Sequence, residues 1–232
     1  MNAGVVAQLV ERLVRNEKVA GSIPVGSTSL VCAGVYFMET VLSICVGIAL
    51  AAACGFRVFV PLLVMSIASL AGHLTVAPGF QWIGTYPALI AFSVATVLEV
   101  TAYYIPWLDH LLDTIATPAA IVAGTIVTAA MLSNLSPFLQ WTLAIIAGGG
   151  IAGVVQSGTV LTRAVSTSTT GGLANPVVAS AELGISALTS FLAITLPLLA
   201  VGLIVASGLF ILRKIWKRSH LKAAQASQAS RR

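Results

Sequence analysis

The chain has 232 residues, of which 58% are hydrophobic and only 8% are charged, and its mean hydropathy is +1.00. Soluble domains carry about 25% charged residues, so this composition excludes an ordinary soluble enzyme and predicts an integral membrane protein. The net charge of +5 does not indicate a nucleic-acid-binding face, because residues 213–232 alone carry seven basic groups and no acid. We therefore expect a lipid bilayer, and no nucleic acid, as the partner.

The N-terminal residues differ in character from the rest of the chain. Residues 1–28 resemble the conceptual translation of a transfer-RNA gene, because 6–12 and 18–25 back-translate into sequences like its D-arm and T-arm. We expect that residues 1–37 are a translated upstream segment and that Met38 is the true start. The alternative is an amphipathic N-terminal helix, since apolar residues recur there at helical spacing.

Seven apolar stretches approach the roughly 20 residues that a membrane-spanning helix needs. They lie at about 39–56, 57–74, 87–105, 118–133, 138–160, 174–190 and 188–212. The predicted fold is all-α, a polytopic transmembrane helix bundle of six to seven membrane segments. Some segments are short enough to be broken or re-entrant.

Basic residues predict the orientation. The transmembrane domain is expected at 38–212 and a basic cytoplasmic tail at 213–232, where it binds anionic lipid of the inner (plasma) membrane. Placing Arg57 and Arg163 inside as well requires seven crossings and an external chain start. Six crossings put the start inside.

Charged residues within the apolar stretches are candidate functional groups, because each costs on the order of 2.5–3.5 kcal/mol at the centre of a spanning helix. Glu99 is either a proton or substrate site or a structural partner of Arg57 or Arg163. Arg57 lies between Gly55 and Pro61, which predicts an interrupted helix whose arginine can bind an anion. The alternative is an arginine in a tight cytoplasmic turn beside a headgroup phosphate.

Asp109 and Asp113 lie four residues apart and share one helical face. Intramembrane aspartyl proteolysis takes its two acids from separate helices, whereas both of these lie on one stretch bounded by Pro106 and Pro118. We expect a short amphipathic helix at the membrane interface. It carries these acids without a catalytic role.

A run rich in hydroxyls precedes the sixth apolar stretch. We expect it to form a polar loop folded into the protein, acting as the wall or gate of a site. Asn175 and Glu182 follow it and are candidates for the same site. The alternative is an ordinary flexible cytoplasmic loop. The run consists of Ser166, Thr167, Ser168, Thr169, Thr170, Gly171 and Gly172.

Motifs for common enzymes and cofactors are not predicted. The Gly-x-Gly-x-x-Gly pattern at 148–153 lies inside an apolar run and indicates close helix packing rather than a phosphate loop. Cys32, Cys45 and Cys54 form neither an even set nor a Cys-x-x-Cys pair. We expect no metal, no cofactor and no catalytic residue.

Four motifs in this order resemble the bacterial membrane family catalogued as domain of unknown function 4126. They are Ala-Cys-Gly-Phe-Arg-Val-Phe-Val-Pro-Leu-Leu at 53–63, Tyr-Ile-Pro-Trp-Leu-Asp at 104–109, Asp-Thr-Ile-Ala-Thr-Pro at 113–118 and Ser-Thr-Thr-Gly-Gly-Leu-Ala-Asn-Pro at 168–176. The resemblance covers about residues 38–200. It implies a polytopic membrane protein and no assigned activity.

The leading functional hypothesis is a small transporter or permease for a small molecule or ion. Its central polar site would be lined by Arg57, Glu99, Asn175 and Glu182, so these residues should converge. The alternative is a non-catalytic membrane scaffold or assembly factor that holds a partner through its basic tail. A third reading, an intramembrane enzyme acting on lipid or isoprenoid, rests on Asp109 and Asp113 alone.

Overall fold

The computed structural model describes the backbone of residues 25–102 and 106–229, and the side chains of 33–102, 114–210, 213, 214, 216 and 217. No strand occurs in this part of the chain. In chain order the helices are α1 Val25–Cys54, α2 Phe59–Leu70, a 3-10 turn Gln81–Gly84, α3 Tyr86–Ala102, α4 Pro106–Met131, α5 Pro137–Leu143, a π-helical segment Ala144–Gly149, α6 Gly150–Thr170, α7 Asn175–Thr195 and α8 Pro197–Ala229.

Four helical stretches are long and apolar enough to cross a membrane, and three more are apolar but shorter. The long ones are Ala33–Cys54, Thr114–Met131, Pro137–Thr170 and Asn175–Thr195, and the shorter ones are Phe59–Leu70, Tyr86–Ala102 and Pro197–Phe210. Each of the seven predicted segments overlaps at least one of these helices. The predicted all-α membrane bundle is confirmed, while the number of crossings and the side of the tail stay predictions.

Helix α1 lies in the centre of the bundle. It packs against α4, α6, α7 and α8, and every residue of its last turn and a half, 49–54, is fully buried. These residues are mostly alanine, which lets neighbouring helices approach closely. The C-terminal end of α1 therefore lies inside the protein.

Glycines bring α4 into contact with the π-helical segment. A Cβ on Gly148 would lie 2.3 Å from the hydroxyl of Thr128 and 2.6 Å from the carbonyl oxygen of Gly124. Thr128 also donates a hydrogen bond to the carbonyl of Gly47, at 3.1 Å, so α1 shares this contact. The interpretation of the glycine-rich run as helix packing is confirmed.

The predicted polar loop at 166–172 is wrong for most of its length. Helix α6 continues through Thr170 and ends at Gly171, whose φ of 64° starts the turn to α7. Ser168 and Thr169 donate to the carbonyl of Val165, and Thr170 donates to that of Ser166. Because these hydroxyls donate to carbonyl groups of the preceding turn, their hydrogen bonds are satisfied within the helix.

The separate interfacial helix bounded by Pro106 and Pro118 is also wrong, because α4 runs from Pro106 to Met131 with Pro118 inside it. Asp109 and Asp113 lie on this helix, but their side chains fall outside the described residues, so their interfacial position stays a prediction.

Two predicted boundaries fall within helices. Met38 lies inside α1, and Arg213 lies inside α8. Residues 1–24 fall outside the described part of the chain. The interpretation of residues 1–37 as a translated upstream segment stays a prediction.

We expect Gly148→Ala to destabilise the protein by about 1–3 kcal/mol, because its methyl group has no room between Thr128 and Gly124. The matched control is Gly158→Ala in α6, where an added Cβ meets no atom within 4 Å. Thermal unfolding in detergent, compared between the two variants, measures the difference. Equal unfolding temperatures would contradict the close α4 contact.

Candidate functional site

The candidate site begins at the break between α1 and α2. A Cβ on Gly55 would lie 2.5 Å from that of Val155, so only glycine lets the end of α1 approach α6 this closely. Pro61 lies in the first turn of α2, where a missing N–H breaks no helical hydrogen bond. The break contains Arg57, which is 1% exposed. Helix α2, with 12 residues, is about 18 Å long and shorter than the hydrocarbon layer.

Glu99, near the end of α3, caps the N-terminus of α2. Its carboxylate accepts hydrogen bonds from the N–H groups of Val58 at 2.8 Å and Phe59 at 3.1 Å. The first N–H groups of a helix lack partners within it and form the positive end of its dipole. A carboxylate from another helix therefore neutralises this buried helix end. The described contacts give Glu99 a capping role rather than a direct ion pair.

Arg57 crosses from the break to α7. Its Nη2 donates to the carbonyl of Ala179 at 2.8 Å and lies 3.8 Å from Oε2 of Glu182. The predicted interruption of the helix at this arginine is present. The alternative of an arginine beside a headgroup phosphate is wrong, because the guanidinium is enclosed by protein.

Arg163 of α6 donates a hydrogen bond from its Nη2 to the same oxygen, Oε2 of Glu182. Arg163 is 3% exposed and Glu182 is 4% exposed. Two arginines from separate elements thus converge on one carboxylate oxygen. Planar guanidinium groups bind carboxylates and phosphates in this way.

Helix α7 contributes a buried polar face to the site. Ser186, one turn beyond Glu182, donates to the carbonyl of Ala53 in the last turn of α1, at 3.0 Å. Asn175, about two turns before Glu182 on the same face, donates to the hydroxyl of Thr167 at 3.1 Å. The polar face therefore joins α7 to α1 at one point and to the end of α6 at another.

The described part of the site contains charges of both signs. Among the side chains described between residues 33 and 210, five carry a formal charge: Arg57, Glu99, Arg163, Glu182 and the more distant Glu39. We call the first four the charge cluster. Among the described side chains it holds two arginines and two glutamates, and buried charges are typically stable only when they are paired with opposite charges.

The predicted site residues fall into three groups. Arg57 and Glu182 contact each other beside the helix break, and Glu99 caps the helix that begins there. Asn175 lies on the same face of α7 as Glu182, but at the N-terminal end of the helix. Ser166 is buried on the face of α6 that carries Arg163, and Thr167 contacts Asn175. The remaining residues of the run, Ser168 to Gly172, lie at the end of α6 and in the turn, away from the charge cluster.

Arg163 is absent from the predicted site residues, since the sequence analysis uses it only as a marker of the cytoplasmic side and as an alternative structural partner of Glu99. The spacing of polar residues around Arg163 indicates its position in the site. Gln156, Thr159, Arg163 and Ser166 recur at intervals of three and four residues, which predicts one polar face of a helix. All four are buried. Among the described residues there is no group of three or more histidine, cysteine, aspartate or glutamate side chains able to hold a metal ion.

The fold and the charge cluster define a polytopic helical membrane protein with ion pairs in its interior. Residues 44–217 match the family model described as Domain of unknown function (DUF4126), so the chain belongs to this family and the resemblance is confirmed. No curated protein and no solved structure matches the chain.

We expect Glu99→Ala to destabilise the protein by about 1–2 kcal/mol, the effect of losing a helix cap, because Val58 and Phe59 would keep no acceptor for their N–H groups. Glu99→Gln retains an acceptor oxygen and should lose less. Abundance in the membrane and unfolding temperature in detergent measure both effects.

The control for this series is Glu39→Ala, which removes a half-buried glutamate outside the charge cluster. It should leave both quantities unchanged. An unfolding temperature of Glu99→Ala equal to that of the control would show that the cap does not contribute.

Proposed function

We propose that the protein is a small transporter of the permease type, with the charge cluster as its central solute site. The observation that carries this proposal is Arg57, an almost fully buried arginine in a helix break, which faces Glu182 of α7, the same carboxylate that Arg163 of α6 binds. Ionisable groups in membrane interiors typically mark substrate or proton paths. Discontinuous helices form the central sites of many secondary transporters.

A purely structural role for the charge cluster explains less. Buried ion pairs contribute little net stability, because well-packed apolar residues of similar volume are often as stable or more so. A chain with only 8% charged residues nevertheless places four of them together in its interior. This energetic cost favours a function that needs charge at that position.

The contacts suggest how the site opens. Arg57 and Glu99 belong to the half of the site built from the α1–α2 break and α3, whereas Arg163 and Glu182 belong to α6 and α7. The contact between Arg57 and Glu182, at 3.8 Å, is longer than the hydrogen bond between Arg163 and Glu182 and joins the halves. We assign this contact to the moving part of the site. The pair of Thr167 and Asn175 is the part of the predicted gate that lies on the same polar face of α7, about two turns before Glu182.

Osmotic swelling of proteoliposomes tests the proposal across several classes of solute. Purified protein in liposomes is mixed with iso-osmotic solutions of sugars, sugar alcohols, amino acids and potassium salts, the last with an ionophore for potassium. Stopped-flow light scattering then measures solute entry. We expect at least one class of solute to enter faster than into protein-free liposomes.

Arg57→Lys should slow that entry by about tenfold, the loss expected for one hydrogen bond to a charged group, because lysine keeps the charge but not the planar donors. Glu39→Gln, outside the charge cluster, should match the unmodified protein. Entry rates equal to protein-free liposomes for every solute, or an unaffected Arg57→Lys variant, would contradict the transport proposal.

A second role is supported by the end of α8. This helix continues past its apolar part, and Arg213, Lys214, Trp216 and Lys217 are exposed on it. Basic residues beside a tryptophan are typical of a membrane–water interface. We propose that this part of the tail binds anionic lipid on the cytoplasmic side, or, in the scaffold reading, an acidic partner there.

Replacing Arg213, Lys214 and Lys217 together with glutamine should reduce the preference for anionic lipid, by about 1 kcal/mol for each charge that lies near the surface. Spin-labelled phosphatidylglycerol and phosphatidylcholine, added to the reconstituted protein, measure this preference by electron paramagnetic resonance. It should also weaken with added salt. An unchanged preference in the triple variant would place the lipid contact elsewhere.

A further inference from the structure

We infer that helix α5 is a lid at one end of the bundle and that it opens about the π-helical segment Ala144–Gly149. This inference rests on the proposed transport function for the role of the lid, which is that of a second gate to the charge cluster. The movement itself can be measured without any solute. It follows from the contacts of α5, from the geometry of the π-helical segment and from the position of both in the fold.

The lid covers the C-terminal end of α4. The last carbonyl groups of a helix lack partners within it, and Ala129 and Ala130 at this end are fully buried. Nε2 of Gln140 on α5 donates a hydrogen bond to the carbonyl of Ala129 at 2.8 Å. The N–H of Ala77, in the segment between α2 and α3, donates to the carbonyl of Ala130 at 2.7 Å. Two separate elements thus close this end of α4.

The lid itself has little buried surface. Helix α5 has seven residues, and none of them is buried. Gln140 joins it to α4, and the ring of Trp141 lies 6.0 Å, between centroids, from the ring of Phe80. A segment with few buried contacts opens at a lower free-energy cost than the core of a protein does. The lid can therefore open while the rest of the bundle stays folded.

The π-helical segment supplies the hinge. Helices kink sharply at π-helical turns, and such turns are frequent at functional sites. Gly148 and Gly149, in the second half of the segment, fit closely against α4, because a Cβ on them would lie 2.3 Å and 2.7 Å from threonine hydroxyls of that helix. In the first half, Ile145 and Ile146 are exposed. Bending is therefore expected before Gly148, where α5 can move while α6 stays in place.

The lid and the charge cluster lie on the same helical stretch. Pro137–Thr170 is continuous over 34 residues. Helix α5 is at its start, and Arg163 lies about 20 residues beyond α5, which corresponds to roughly 30 Å along the helix axis. The contact between Thr167 and Asn175 lies near the other end of this stretch. A central site that is reached from the two sides of a membrane in turn needs a gate at each end, and the lid supplies the second one.

Thiol labelling of two buried positions on α4 tests the lid without a solute. In a chain whose three cysteines are replaced by alanine, Ala130→Cys places a thiol at the end of α4 that the lid covers. Ala120→Cys places a thiol in another part of α4, and both positions are 0% exposed. The protein is held in lipid nanodiscs, where a charged methanethiosulfonate reagent reaches both membrane faces. Because this reagent reacts only with thiols that meet water, its rate at Ala130→Cys measures how often the lid opens.

Gln140→Ala should speed the labelling of Ala130→Cys about fivefold, because the loss of one hydrogen bond shifts the opening equilibrium by that order. Labelling of Ala120→Cys should not change. The matched control is Gln81→Ala, which truncates an exposed glutamine of the 3-10 turn and should change neither rate. An unchanged rate at Ala130→Cys in the Gln140→Ala variant would overturn the inference.

The remaining labelling outcomes are also decisive. No labelling of Ala130→Cys in any variant would show that this end of the bundle stays closed, and it would overturn the lid. Equal acceleration at Ala130→Cys and Ala120→Cys would indicate a general loosening of the bundle and would overturn it as well. If Gln140→Ala does not fold, Trp141→Ala tests the same prediction, because it removes an exposed ring from the contact with Phe80.

A cross-link tests whether the lid controls access to the charge cluster. Phe80→Cys and Trp141→Cys, introduced together in the cysteine-free chain, are joined by a short bifunctional methanethiosulfonate before the swelling assay. We expect solute entry to be lost on cross-linking and to recover when a reducing agent breaks the link. Entry through the cross-linked protein would overturn the gating role and leave transport intact. Absence of entry in the unmodified protein would contradict the transport proposal, and the labelling rates would still decide whether the lid opens.

Discussion

Charges in the interior of a membrane protein must be compensated within the protein, because neither lipid nor a dry interior can solvate them. In this chain the compensation involves four elements: the α1–α2 break, α3, α6 and α7. Arg57, Arg163 and Glu182 meet at one carboxylate oxygen, and Glu99 lies across the start of α2. Their mutual distances therefore fix how these helices sit relative to one another. The surrounding small residues let the same helices approach closely.

The helix break makes this arrangement necessary. Ending α1 in the interior exposes N–H groups at the start of α2, and a buried N–H without an acceptor costs about as much as a lost hydrogen bond. Glu99 supplies the acceptor and brings a negative charge, which the positive end of the α2 dipole offsets. Ser186 ties the last turn of α1 to α7. The break, the cap and the polar face of α7 thus form one interdependent unit.

Much of this could be predicted from the sequence. The seven apolar segments follow from the distribution of apolar residues along the chain. Gly55 and Pro61 on either side of Arg57 indicate the helix break. Of the four predicted site residues, Arg57 and Glu182 contact each other there and Glu99 caps the next helix. The prediction of a loop at 166–170 is wrong because the hydroxyls donate to carbonyl groups of their own helix. Amino-acid composition does not reveal such bonds. Arg163 is not predicted as a site residue because the positive-inside rule assigns basic residues to cytoplasmic loops. This arginine instead lies on a buried polar face of α6.

The central claim is that Arg163 and Glu182 are energetically coupled in the protein interior. A double-mutant cycle of Arg163→Met and Glu182→Met, measured as the free energy of unfolding in detergent, tests it most directly. A parallel cycle of Arg163→Met with Glu39→Met serves as the control. The account predicts a coupling energy of about 1–3 kcal/mol in the first cycle and additivity in the second. Additive effects in both cycles would contradict it.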